Sequence, residues 1–260
     1  MIHKFSDIHR DAQLGENVSI GPFTSIQGDV QIGSGTKIHS NVAIMDGARI
    51  GENCEIFPGA VISAIPQDLK FKGEKTTVEI GNNTTIRECV TINRGTVDKY
   101  KTVVGNNTLL MAYTHLGHDT FVGNNCIIAN SAGIAGHVVI EDYAILEGLV
   151  AIQQFVTIGA HSFVAGGSLV RKNVPPYVKA AREPLSYAGV NRIGLQRRGF
   201  SDDVINSIQD AYRLIYVQNK NMSKALELVE STLPAIPEIK QIISFIRSSD
   251  KGIMKGVQDV

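Results

Sequence analysis

Tryptophan is absent from this chain of 260 residues, aromatic residues make up 6% of it, and cysteine occurs 3 times. The composition is therefore poor in large core fillers, and 25 glycines make it rich in turns. Cys54, Cys89 and Cys126 stand far apart with no CxxC pair, which argues against a disulfide framework or a zinc ribbon. An excess of either charge is also missing: 25 Lys and Arg balance 25 Asp and Glu. No global field therefore points to nucleic acid or to an anionic membrane surface. No run of 18 apolar residues occurs, so no membrane insertion is expected. The opening residues, MIHKFSDIHRDAQLG, carry charge where a signal peptide needs an apolar run. A soluble cytoplasmic protein with reduced thiols is the expectation. Hydrophobic residues at 43% supply a core and exclude overall disorder.

What the chain does have is a repeat. Aliphatic residues recur every six positions from Ile8 through Leu14, Ile20 and Ile26 to Ile62. The series resumes at Ile80, Ile86 and Ile92, then runs from Val104 to Val170. Glycine often follows the aliphatic residue (Gly15, Gly33, Gly51, Gly81, Gly105, Gly117, Gly123), and a small or β-branched residue stands four places on (Val18, Thr24, Cys54, Ala60, Cys126, Ala132). A period of six fits neither a helix nor a lone strand. A short strand plus a turn fits it, three such units making a triangular coil of about eighteen residues that stacks as a parallel β-helix. The aliphatic residue fills the interior, and Cys54 and Cys126 read as fillers beside it.

The repeat breaks at 63–79 and 98–103, with its phase kept. Each break reads as a loop leaving the prism, either a site element or a tolerated insertion. After Val170 the pattern fades into a proline-bearing connector. Ser201 with Asp202 and Asp203 then marks a helix start, a second helix is expected over 223–233, and a third starts near Pro237. The domain expectation is a β-helix over 1–175, followed by a connector and helical domain over 176–260. The helices would cap one open end of the prism.

Four of the 7 histidines, His115, His118, His137 and His161, fall within 110–161. Residues eighteen apart sit on successive coils about 4.8 Å apart. That arithmetic stacks His118, Gly136 and Gln154 in one column, and Asp119, His137 and Phe155 in the next. A histidine with one neighbouring Asp suits general base work better than zinc, and no metal is expected. Gly136 offers an unobstructed N–H of the kind that stabilises an oxyanion in acyl transfer. Asp119 either fixes the His118 tautomer or is only a turn residue. GxSxG is absent and the cysteines are fillers, so direct attack by the acceptor is favoured over an acyl-enzyme. Lys70 within QDLK, and Arg197 with Arg198 within LQRRGF, are either solvated surface charges or a diphosphate clamp. A P-loop is absent.

Specific motifs add to this reading: SIGPF, PQDLK, VEIG, TINRGT, LLMAYTHLGHDTFVGNNCIIAN, AGHVVI, QQFVTIGAH and GLQRRGF. With them the chain resembles, over essentially its whole length, the UDP-N-acetylglucosamine O-acyltransferases of lipid A biosynthesis. The resemblance implies a left-handed parallel β-helix of hexapeptide repeats with a helical C-terminus, an exception to the usual right-handed crossover. It implies transfer of a 3-hydroxyacyl chain from acyl carrier protein to the glucosamine 3-position of UDP-N-acetylglucosamine, in a homotrimer with sites at subunit clefts and with no cofactor. His118 matches the catalytic base, Asp119 its partner and Gly136 the oxyanion donor. His115, His137 and Gln154 match substrate contacts, Asp68 and Lys70 sugar and phosphate contacts, Asn191 a further polar contact, and Arg197 and Arg198 nucleotide or carrier-protein contacts. Gly166 matches the residue that limits acyl length, and its bareness implies a long pocket of a dozen or more carbons. Gln153 and Asn93 stand where the family often has His, and Ile193 where it often has Glu; these departures are compatible with a 3-amino sugar acceptor or with drift.

Three rivals remain. A related N-acyltransferase carries a sugar-binding domain ahead of its hexads, whereas here the hexads begin at Ile8. An acetyl-CoA-dependent acetyltransferase lacks the RRGF helical domain. A non-catalytic ice-binding β-helix would repeat threonine in flat outward ranks, which this chain does not.

Overall fold

A computed structural model describes residues 1–218 and 221–256. Most strands are two residues long, the second an aliphatic residue facing in, as in Ser25–Ile26, where Ser25 is exposed and Ile26 buried. They assemble into three sheets. The first holds 9 strands from Asp7–Ile8 to Leu169–Val170, the second 8 from Gln13–Leu14 to Thr157–Ile158, and the third 10. Pairing along the prism is parallel, with Ile8 beside Ile26 and Leu116 beside Ile134, so outside the two breaks each coil stacks on the one eighteen residues before it. The inward aliphatic residues form a continuous core; Ile44, Ile62, Ile92, Leu116 and Ile134 in one stack are fully buried. Such ladders carry most of the stabilisation, roughly 1.5–3 kcal/mol for each buried aliphatic side chain before conformational entropy is counted.

Corners need left-handed backbone. Asn53, Asn83, Asn107 and Asn125 supply it on successive coils at the edge between the second and third sheets, with φ of 53–56°. Asparagine tolerates that region better than other side chains. Threonines in the small position satisfy buried carbonyls: Thr24 Oγ1 donates to His39 O at 2.7 Å and Thr108 Oγ1 to Gly123 O at 3.0 Å.

The two breaks appear in the strand register. Ile50 pairs with Ile80 and Ile62 with Ile92, then Ile80 with Val104 and Ile86 with Leu110, so extra chain is extruded without loss of phase. The first strand runs on to Ala64 and its successor begins at Thr77, which confines the first loop to 65–76. The second loop lies at 94–100, upstream of the sequence expectation, because 101–104 form a strand. Both loops leave the prism between a strand of the first sheet and the next strand of the second, and therefore at the same edge.

Past the prolines the third sheet continues through Val178–Ala181, which pairs with Phe163–Val164, and ends in an antiparallel strand, Ser186–Val190. Helix α1 (Arg192–Arg197) follows, then α2 (Asp202–Arg213), α3 (Met222–Thr232) and α4 (Pro237–Arg247). Ser201 caps α2 by accepting from Val204 N, with Asp202 and Asp203 in its first turn. The hairpin strand and α1 are absent from the sequence expectation, since a five-residue strand and a six-residue helix are too short to show a period. Tyr212 of α2 is fully buried and donates to Pro176 O at 2.6 Å, tying the helices to the last coil. Asn173 N also donates to Gly252 O and Met254 N to Asn173 O, which lays the segment after α4 across the prism's end.

Candidate functional site

The edge between the first and second sheets carries the chemistry. Its corner residues Tyr100, Asp119, His137 and Phe155 all have positive φ, 58–64°. The His137 ring stacks on Phe155 with centroids 4.4 Å apart and stands edge-on to His118 at 4.9 Å. His118 Nδ1 lies 2.8 Å from Asp119 Oδ2, and both residues are buried. The carboxylate assigns the tautomer: Nδ1 carries the proton, and Nε2 is left as a basic lone pair. Asp119 is itself held from the second loop. Its Oδ1 accepts from Thr96 N at 3.0 Å and Lys99 N at 3.1 Å, and its Oδ2 accepts the Thr96 hydroxyl at 2.7 Å. Burial acts to raise the Asp119 pKa, but the Thr96 hydroxyl, His118 and the two amides outweigh it and hold the carboxyl below its usual value.

Gly136 lies one coil on, directly against the imidazole. A β-carbon there would come within 2.7 Å of His118 Nε2 and Cε1, so only glycine leaves the ring its place. Among the described residues the Gly136 N–H donates to no protein acceptor. A basic nitrogen beside an undonated amide is what proton removal with oxyanion stabilisation needs.

Gln154 is exposed on the same edge, one coil further. His115 lies on the first sheet just before it, with Nδ1 2.7 Å from Thr91 Oγ1; burial lowers its pKa and keeps it neutral. Asp68 and Lys70 sit in the first loop at this edge, where Asp68 Oδ1 accepts from Lys70 N at 2.9 Å and the Lys70 side chain is exposed. The loop is braced from the strand after it: Asn93 Nδ2 donates to Ile65 O, Arg94 N to Ala64 O, and the Arg94 guanidinium lies over Phe71. Asn93 is thus a buried strut.

The remaining expected residues lie elsewhere within a single chain. Arg198 packs at the edge between the second and third sheets, with Nη2 donating to Tyr143 O at 3.0 Å and its guanidinium over the Tyr143 ring. Asn191 is buried there and donates to His161 O. Arg197 is exposed in the last turn of α1. His161 joins this group and not the dyad; it stacks between Tyr143 and Tyr177, and burial followed by the Arg198 charge pushes its pKa down to about 4. Gly166 occupies the third edge, exposed, with its N–H donated to Glu147 Oε2 at 3.0 Å. The eighteen-residue columns hold for His118, Gly136 and His137, whereas Asn191, Arg198 and Gly166 belong to other edges.

Cys54 and Cys126 are buried free thiols in the core, and burial pushes Cys126 up to about 12, so neither is poised as a nucleophile. His118, Asp119 and His137 present potential metal-ligand atoms within 4.8 Å of one another. His118 Nδ1 and Asp119 Oδ2 are engaged with each other at 2.8 Å, so a cation held by those two atoms, at ligand distances of about 2.0–2.2 Å, would have to displace that bond. Sequence reasoning missed Thr96, Lys99 and Asp98, whose Oδ2 lies 3.0 Å from His137 Nδ1 but off the line of an aligned hydrogen bond. The broken repeat was their signal; its first residues pass for another hexad.

Comparison with known proteins places the chain among acyltransferases. A family model described as UDP-N-acetylglucosamine O-acyltransferase, domain 2, matches residues 173–254, and one described as bacterial transferase hexapeptide matches 11–42, 29–64 and 101–136. An acyl-[acyl-carrier-protein]–UDP-N-acetylglucosamine O-acyltransferase from Chlorobaculum tepidum is 53% identical over 95% of this chain and 94% of its own. The crystal structure of a UDP-N-acetylglucosamine acyltransferase from Bacteroides fragilis superposes with a TM-score of 0.97 at 51% identity, covering 98% of this chain and 100% of that one. An Acinetobacter baumannii structure gives 0.95 at 41%, covering 98% and 99%. The coil is accordingly a left-handed β-helix.

Proposed function

The chain belongs to the UDP-N-acetylglucosamine O-acyltransferase family, and we propose that it carries a 3-hydroxyacyl group from acyl carrier protein to the 3-hydroxyl of UDP-N-acetylglucosamine, the first step of lipid A biosynthesis. The observation that carries the mechanism is the buried His118–Asp119 pair facing the undonated Gly136 amide. The sugar hydroxyl attacks the thioester carbonyl of the donor while His118 Nε2 takes its proton. Negative charge gathers on the carbonyl oxygen, where the Gly136 N–H donates to it. The intermediate collapses, the C–S bond breaks, and the proton passes from the imidazolium to the leaving thiolate. Asp119 stays ionised and stabilises the imidazolium.

His137 and His115 border the acceptor pocket, and Asp68 and Lys70 reach it from the first loop. Arg197 and Arg198 hold the nucleotide or the carrier, Asn191 makes a further polar contact, and Gly166 sets acyl length. Because these last residues lie on other edges of their own prism, they serve a site only when a second copy presents them. This supports a homotrimer with its sites at subunit clefts, where the neighbour's wall excludes water. No helix among the described residues is long and apolar enough to cross a membrane, and we place the enzyme in the cytoplasm.

The test is a transfer assay with UDP-N-acetylglucosamine and acyl carrier proteins of graded chain length, read by mass spectrometry, with sedimentation of the same sample. Acylated sugar from a sedimenting trimer, with long chains preferred, is the expected result. No product at any length overturns the activity, and a fully active monomer overturns the shared site.

A further inference from the structure

We infer that the loop 94–100 is the positioning strap of the active site and that Thr96 is its working side chain, fixing the Asp119 carboxylate so that it can orient His118. This rests on the function proposed above and assigns a role to a residue outside the dyad. The strap is the smaller of the two extrusions, and its base is pinned: Arg94 N donates to Ala64 O, Gly95 N to Thr77 O, and Tyr100 N to Thr96 O. Gly95 has no room for a side chain, since a β-carbon there would meet Lys101 N at 2.3 Å. The short turn so fixed aims three donors at one carboxylate, the Thr96 amide, the Lys99 amide and the Thr96 hydroxyl.

The Asp119 side chain is wholly shielded from solvent. Its oxygens therefore depend on protein donors, and each of the two accepts two, His118 being the fourth. A carboxylate with so complete a set is both ionised and rotationally locked. Loss of the hydroxyl leaves Oδ2 with His118 alone and loosens the hold on the terminal bond, which is intrinsically soft, although the two amides still reach Oδ1. The imidazole then loses its fixed tautomer and direction. Thr96 touches neither substrate nor reacting atom and acts through Asp119; it is a positioning residue.

The experiment compares Thr96→Val, Thr96→Ser, Asp119→Asn and the double variant Thr96→Val/Asp119→Asn in the full chain, with thermal melts as the folding control. General base assistance is worth roughly 10²–10⁴-fold, and Thr96→Val is expected to forfeit about tenfold of it in kcat, with KM for the sugar within about twofold. Thr96→Ser restores the hydroxyl and kcat. In the Asp119→Asn background the valine costs almost nothing further, because the path is already cut. In parallel, ¹⁵N NMR of labelled histidine reads the His118 tautomer: one tautomer in the wild type and in Thr96→Ser, a mixture in Thr96→Val. Unchanged kcat and tautomer in Thr96→Val, or effects that multiply independently in the double variant, overturn the strap. If the wild type moves no acyl group to the sugar, the proposed function falls, while the NMR measurement still reports on the strap.

Discussion

Gly136→Ala isolates the closest approach in the site. The new β-carbon would lie 2.7 Å from both Cε1 and Nε2 of His118 and 3.1 Å from Cδ2, whereas ordinary contact begins at 3.4 Å. The imidazole must therefore retreat by about 0.7 Å, while its other side is tied to Asp119. The backbone at 136 lies outside the left-handed region, so alanine itself fits without strain and the fold should survive. A displacement approaching 1 Å in a catalytic group costs on the order of 10²-fold in rate, or about 2.7 kcal/mol of transition-state stabilisation. Overpacking adds about 1–3 kcal/mol of instability. Gly133→Ala is the control: it lies in the same coil, and a β-carbon there meets nothing within 4 Å. The assay is kcat at saturating substrates, with a melt for each variant. Gly136→Ala should lose about two decades in kcat with Tm only modestly lowered, and Gly133→Ala should behave as wild type. Wild-type turnover by Gly136→Ala would refute the geometry, since His118 could then work from a displaced position.

Lys70→Ala should raise KM for the UDP-sugar several-fold with kcat little changed, as loss of an exposed phosphate contact does; an unaltered KM removes Lys70 from the site. Arg198→Ala should do the same and also lower Tm, because the guanidinium holds Tyr143 by a hydrogen bond and a ring contact; a drop in Tm alone leaves it a structural role only. His161 is half-buried and neutral, its pKa about 4 against an ordinary 6.5, so the unfolded chain takes up a proton that the native chain refuses. Its contribution is full above pH 6.5 and is lost as pH falls towards 4. His161→Phe, which keeps the ring stack, should flatten the decline of Tm over that window, and parallel curves for the two proteins would contradict the assignment.

Much of this was legible in the sequence because the β-helix converts linear distance into stacking. Ile8 to Val170 announced the coils, and the eighteen-residue step brought His118, Gly136 and His137 together before any coordinates. The same arithmetic assigns Gly166 to a different edge, since it lies two corners on from Gln154. Thr96 escaped notice because its partner is 23 residues away across an extrusion, and no hexad rule covers a loop that turns back on the prism. Asn93 stands where the family often has His, and its identity alone does not show that its amide braces the first loop. The hairpin at 178–190 and helix α1 are set by packing against the last coil, which local patterning does not record.

His118 as the proton acceptor is the centre of the proposed chemistry, and His118→Ala under single-turnover conditions tests it most directly. With carrier-bound 3-hydroxyacyl donor and UDP-N-acetylglucosamine, the variant should retain the wild-type melt and sedimentation while acylated sugar falls by at least about 10²-fold, general base assistance being lost. A folded His118→Ala protein that forms product at the wild-type rate would contradict it.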